Sequence, residues 1–106
     1  MKKSQIALYY VTCPSSKVAE SLAKETLNKK LSACANIIPN MKSLYFWKGK
    51  IESSKECLLL LKSKKTLASK LEKFILSKHP YKCVCLLEID ISKSHLTYEK
   101  WLLENL

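Results

Sequence analysis

The 106-residue chain has no arginine, a single glycine and three prolines, and each shortage removes a class of protein. One glycine cannot build a phosphate-cradling loop, whether GxxxxGK[ST] or GxGxxG, and HExxH and GxSxG are missing as well. No nucleophile, base and orienting group can be assembled from what remains, so catalysis is not expected. Scarce glycine and proline also leave no flexible linker, low-complexity tract or internal repeat. The expectation is one compact domain, residues 1–106. No apolar run reaches the roughly 18 to 20 residues that a membrane helix needs. Met1-Lys2-Lys3 leads through Ser4 and Gln5 into a short strand-like run rather than the apolar segment of a signal peptide. These features point to a cytoplasmic protein with no membrane partner.

The absence of arginine also shapes the charge. Nineteen lysines oppose nine acidic residues, for a net charge of +10. Base-edge readout and bidentate phosphate recognition favour the planar fork of arginine, so nucleic acid is not an expected partner. A diffuse basic face is expected instead, concentrated in residues 1–50, where nine lysines meet only Glu20 and Glu25. Five cysteines form an odd set without CxxC or finger-like spacing. This argues against a disulfide scaffold or structural zinc knuckle, and for reduced thiols.

What the chain does have is periodicity. Residues 6–12 are β-branched and aromatic, which predicts a buried strand. Val18, Leu22, Ala23, Leu27 and Leu31 recur at helical spacing, an amphipathic helix entered through Pro14. Residues 33–38 read as a second strand, with Pro39-Asn40 forming a bulge or edge before pairing resumes over 43–50. Residues 51–63 are the return strand, and its run from Cys57 to Leu61 is expected to be buried on both faces. Leu67, Leu71, Phe74, Ile75 and Lys78 mark a second amphipathic helix, stopped at His79-Pro80 because a residue before proline avoids the α region. Residues 83–91 form a fourth strand and 98–103 a short terminal helix. This order predicts an α+β, ferredoxin-like βαββαβ fold with two helices on one face of an antiparallel sheet. Leu58, Leu60, Val84 and Leu86 are expected on the opposite, bare face, which a second copy would cover under closed symmetry. Within 44–52, Tyr45 and Trp47 fall on one strand face and Phe46 on the other, and Gly49 supplies a left-handed turn. An arm that is apolar on both faces again calls for a neighbouring subunit.

Four segments carry a resemblance that spans nearly the whole chain. They are Val11-Thr12-Cys13-Pro14; Leu31-Ser32-Ala33-Cys34-Ala35-Asn36-Ile37-Ile38-Pro39; Ser43-Leu44-Tyr45-Phe46-Trp47-Lys48-Gly49-Lys50-Ile51-Glu52; and His79-Pro80-Tyr81. In this order and spacing the sequence resembles the CutA divalent-cation tolerance proteins. The resemblance implies a homotrimer similar to the PII signalling proteins, with the hairpin arms interlocked between subunits. It also implies association with copper or another divalent cation, none of it needed for folding. After Tyr81 the sequence departs from the family. Members usually continue with an acidic or amide residue and then Pro-Glu, whereas this chain has Lys82-Cys83-Val84-Cys85, so a thiol replaces the carboxylate.

Each candidate ligand has a plainer alternative. Cys34 is either a soft-metal ligand or a small buried hydrophobe. Cys13, beside the first helix entry, is either reactive or packed at the strand end. Cys83 and Cys85, one residue apart, would share a strand face and either contact one soft cation or fill the core. Cys57 reads as structural. His79 is a metal ligand or a helix cap, and His95 a surface cap. Tyr45, Trp47, Lys50, Glu52 and Tyr81 are assigned to an inter-subunit cleft, with Lys50 and Glu52 as ion-pairing groups. Two functions compete: metal-ion tolerance by a copper-binding trimer, and a PII-like regulatory scaffold holding a small anion or a partner protein between subunits.

Overall fold

A computed structural model describes residues 3–106; Met1 and Lys2, used above in the argument about a signal peptide, lie outside the described residues. The elements are β1 (Ile6–Cys13), α1 (Ser16–Asn28), β2 (Cys34–Trp47), β3 (Lys50–Lys64), a single 3-10 turn over Lys65–Leu67, α2 (Ala68–Lys78), β4 (Leu86–Asp90) and α3 (Leu96–Glu104). The strands form one antiparallel sheet in the order β2-β3-β1-β4. This is the expected α+β, ferredoxin-like arrangement.

Register divides the sheet into two unlike faces. Tyr9 stands opposite Leu61, Val11 opposite Leu59 and Cys13 opposite Cys57, and all six are buried beneath α1 and α2 with Leu22, Leu71 and Ile75. On the other face Tyr10 pairs with Leu60 and Thr12 with Leu58, and Leu58 and Leu60 are only half-buried. The run from Cys57 to Leu61 is therefore fully buried on one side alone. The placement of Val84 and Leu86 needs correcting: they pack against the helix-side core rather than on the open face. Leu86 pairs with Val11 and so shares its side; Leu87 and Ile89, which are exposed, occupy the open face instead.

Helix boundaries follow local chemistry. The Ser15 side chain caps α1 by accepting from the Val18 amide at 3.2 Å, which leaves Pro14 just ahead of the cap rather than inside the first turn. The helix stops at Asn28, short of Leu31. The Thr26 carbonyl accepts from the amides of both Leu31 and Ser32, and Lys30 turns the chain at φ 58°. At this same end of the sheet, Lys65 reaches the Ser4 carbonyl at 2.6 Å and the Asp90 carboxylate at 3.0 Å. The Glu99 carboxylate accepts from the Gln5 amide and the Ser94 hydroxyl. These contacts fasten α3 and the edge of β4 to the start of β1. Hydrogen bonds from Lys3 and then Lys65 hold the Asp90 carboxyl below its usual titration range, and those from the Ser4 and Ser94 hydroxyls and the Gln5 amide do the same for Glu99.

The Pro39-Asn40 feature is a bulge inside one continuous strand. Register slips by one residue between Ile38 and Met41, with Asn40 at φ 60°. Beyond it, Trp47 pairs with Lys50 across a two-residue turn, Lys48 at φ 51° and Gly49 at φ 78°. Both positive angles match the type I′ turn that suits strand twist, and glycine is the residue that adopts one without penalty. The hairpin projects from the body: the long axis is 46 Å and the radius of gyration 14.6 Å, against about 13 Å for a compact chain of this length.

Candidate functional site at the base of the arm

Where β1 ends and the arm begins, the chain after α2 folds back onto the sheet. Pro80 prevents α2 from continuing, so His79 takes an extended backbone and its ring turns inward, only 8% exposed. Its Nε2–H donates to the Thr12 carbonyl at 2.8 Å, and Nδ1 accepts from the Tyr81 amide at 3.1 Å. This pair of contacts fixes the tautomer and uses both nitrogens. The Tyr81 ring packs at 4.8 Å from the His79 ring, and its hydroxyl donates to the Glu56 carboxylate at 2.8 Å. Burial, reinforced by the Glu56 carboxylate, pushes the Tyr81 phenol well above its ordinary value, so it remains a proton donor. Cys13 and Cys57 lie beneath this node as buried, register-paired residues, and the Ser16 hydroxyl points at the Cys57 sulfur from 3.9 Å. Burial drives the Cys13 thiol up to about 12, which leaves it protonated at neutral pH. A shallow cavity of about 110 Å³ opens alongside, lined in part by Pro14, Asn40, Glu56 and Cys57.

The segment that folds back also displaces the expected fourth strand. Regular pairing starts at Leu86, and Cys83 sits in an exposed bend. Cys85 contributes one bond to the sheet, its carbonyl accepting from the Thr12 amide. Cys83 therefore lies outside the strand, and the two thiols are not neighbours on one strand face. Cys34 lies apart from this node, half-buried on the open face at the start of β2.

Among the described residues, no group of three or more His, Cys, Asp or Glu side chains converges closely enough to hold a metal ion. Within a single chain, His79 and Cys13 are committed to internal contacts, and Cys83 is the one exposed cysteine among the described residues. Alkylation kinetics should follow this order. Cys83 should react rapidly with iodoacetamide, whereas Cys13 and Cys57 should label only as fast as the sheet opens, read by peptide mass spectrometry over time. Rapid native-state labelling of Cys13 would contradict its burial.

The arm carries the second group of candidates. Leu44, Tyr45, Phe46, Trp47 and Ile51 are all exposed, Phe46 at 76% and Trp47 at 55%. Tyr45 pairs with Glu52 and Trp47 with Lys50 on one face; Phe46 pairs with Ile51 on the other. Among the described residues neither Lys50 nor Glu52 makes an ion pair within the chain. Tyr81, by contrast, satisfies its hydroxyl inside its own chain. Glu56 escaped the sequence reading, since nothing local to residue 56 signals a partner 25 positions away.

Sequence comparison matches residues 7–105 to the family described as CutA1 divalent ion tolerance protein. The chain belongs to the CutA1 family. It is 36% identical to the human protein named Protein CutA over 91% of this chain, and spans 54% of that protein's length. To the divalent-cation tolerance protein CutA of Thermus thermophilus it is 35% identical, covering 90% of this chain and 92% of the relative. The crystal structure of divalent ion tolerance protein CutA1 from Ehrlichia chaffeensis superposes with a TM-score of 0.92 at 30% identity, covering 96% of this chain and 95% of that one. CutA1 proteins are named for tolerance of metal ions rather than for a catalysed reaction. Among the described residues, no helix is long and apolar enough to cross a membrane.

Proposed function

We propose that this CutA1 chain works without catalysis as a cytoplasmic homotrimer that contributes to tolerance of divalent metal ions, copper above all, by binding them as cargo. The observation that carries the assembly is the double exposure of apolar surface. The arm presents Phe46 and Trp47 on opposite faces, and the open side of the sheet presents Leu87 and Ile89. So much exposed apolar surface is a liability on a single chain and an interface in a closed ring. Metal handling rests on family membership and on the accessible thiols. Cys83 is exposed and Cys34 and Cys85 are half-buried, and thiolates suit Cu(I) and zinc. Because the donors of one chain do not converge, an ion would be held by one or two thiols, or by thiols from neighbouring subunits.

Native mass spectrometry of the reduced protein, titrated with Cu(I) and Zn(II), tests assembly and cargo together. The expected result is a trimer with copper uptake in a fixed multiple of three that falls in Cys83→Ser and again when Cys34→Ser is added. A trimer with only scattered adducts would refute metal binding and leave the second reading. In that reading the protein is a PII-like scaffold whose inter-subunit clefts take a small anion or a partner protein. One observation favours it: Lys50 extends beside Trp47 with no carboxylate of its own among the described residues.

A further inference from the structure

Cys13 and Cys57 are the two buried cysteines among the described residues, and both are free. They stand directly opposite one another on β1 and β3, on the helix side of the sheet. Residues opposite one another on antiparallel strands have Cα atoms about 4.5 to 5.5 Å apart. That lies inside the range of about 4.4 to 6.8 Å that a disulfide spans. The place of the pair in the sheet matters as much as its chemistry. It is the last rung between β1 and β3, and from Glu56 back to Lys50 the strand pairs with β2 as the arm. A bond here would tie the base of the arm to the body. The pair also has a way in. Cys57 lines the cavity of about 110 Å³ together with Asn40 and Glu56, and its Sγ lies 3.9 Å from the hydroxyl of the exposed Ser16, which lines the same cavity. That space takes a molecule of two oxygen atoms.

We propose that Cys13 and Cys57 form a peroxide-sensitive dithiol whose oxidation to a disulfide clamps the base of the arm to the end of β1. The Cys57 sulfur, at the cavity, loses its proton and attacks one oxygen of hydrogen peroxide. The O–O bond breaks, the departing hydroxide takes up the proton as water, and Cys57 becomes a sulfenic acid. The Cys13 sulfur then attacks the Cys57 sulfur. An S–S bond forms, the S–O bond breaks, and the leaving hydroxide carries off the Cys13 proton as a second water. Two thiols have lost two electrons and two protons, and one peroxide has become two waters. The order of attack follows from burial, which pushes the Cys13 thiol up to about 12 and suits it to the second step, where a hydroxide is released beside it to take the proton. After burial, Cys57 is the strongest influence on that thiol, as expected of two side chains in close reach. The pair is distinct from the thiols at Cys34, Cys83 and Cys85 on which metal uptake rests.

Peptide mass spectrometry of the intact, folded protein tests the site. Trypsin releases Cys13 within residues 4–17 and Cys57 within residues 56–62. After hydrogen peroxide in metal-free buffer, a quench with catalase and N-ethylmaleimide, and digestion without reductant, these two peptides should appear joined, two hydrogens lighter than their sum. Dithiothreitol should separate them. Joining should outpace iodoacetamide labelling of either cysteine, because peroxide enters through the cavity while the larger reagent waits for the sheet to open. In Cys13→Val the reaction should stop at a Cys57 sulfenic acid that dimedone captures. The oxidised protein should melt several degrees higher than the reduced one, since the bond closes the long loop between the two cysteines, and Cys57→Val treated alike should gain nothing. Absence of the joined peptide, or joining no faster than alkylation, would overturn the site. A joined chain that melts no higher than the reduced one would overturn the clamp. Both decisive readings use the unsubstituted chain, so a variant that fails to fold does not weaken the test.

Discussion

Replacing both arm aromatics, Phe46→Ser together with Trp47→Ser, is expected to convert the proposed trimer into folded monomers. In the single chain these rings touch little: they are 76% and 55% exposed, at the tip of a hairpin that stands clear of the core. Their removal should therefore leave the βαββαβ body intact, with an unaltered far-ultraviolet circular dichroism spectrum. Large aromatic anchors at the centre of an interface typically cost roughly 2 to 4 kcal/mol each when truncated. In a closed ring the loss recurs at every interface. Since 1.4 kcal/mol is about tenfold in an equilibrium constant, two such losses per interface amount to at least a roughly thousandfold weakening. Sedimentation velocity across a dilution series measures it. The unsubstituted protein should sediment as one species of three chains, and the double variant as single chains at micromolar concentration. A double variant that sediments like the unsubstituted protein would remove the arm from the interface.

The two punctuating residues of the arm were legible because each acts through its own backbone. Pro39 cannot donate to a ladder, and the strand bulges there; Gly49 alone tolerates φ 78° freely, and the hairpin turns there. The region after α2 was not legible for the opposite reason. Residues 83–91 alternate like a strand, but the pull on this segment comes from distant groups: the Thr12 carbonyl, 67 positions from His79, and the Glu56 carboxylate, 25 from Tyr81. These partners hold 79–81 in a turn and delay β4 to Leu86. Face assignment failed at Val84 and Leu86 because a strand's period fixes which residues share a face, but not which face meets the helices. The pairing of Leu86 with Val11 decides that, and a shift of one residue would reverse it.

The second large effect is expected at His79, and it separates structure from metal handling. His79→Ala removes the donor to the Thr12 carbonyl and the acceptor of the Tyr81 amide, and it takes away the ring against which Tyr81 packs. Each buried polar group left without a partner costs about 1 to 3 kcal/mol, so with two such groups the variant should lose roughly 2 to 6 kcal/mol. The Tyr81–Glu56 bond depends on the same turn, and its geometry should loosen as well. In urea denaturation the midpoint should fall while the m-value stays unchanged, because the surface exposed on unfolding is nearly the same. His79→Gln, which carries both a donor and an acceptor, should recover part of the loss. Copper uptake by folded His79→Ala, measured below its unfolding transition, should equal that of the unsubstituted protein, since both ring nitrogens already serve the chain itself. If His79→Ala instead kept full stability and lost copper stoichiometry, the ring would be a metal ligand, and the hydrogen bonds to Thr12 and Tyr81 would have to yield when the ion binds.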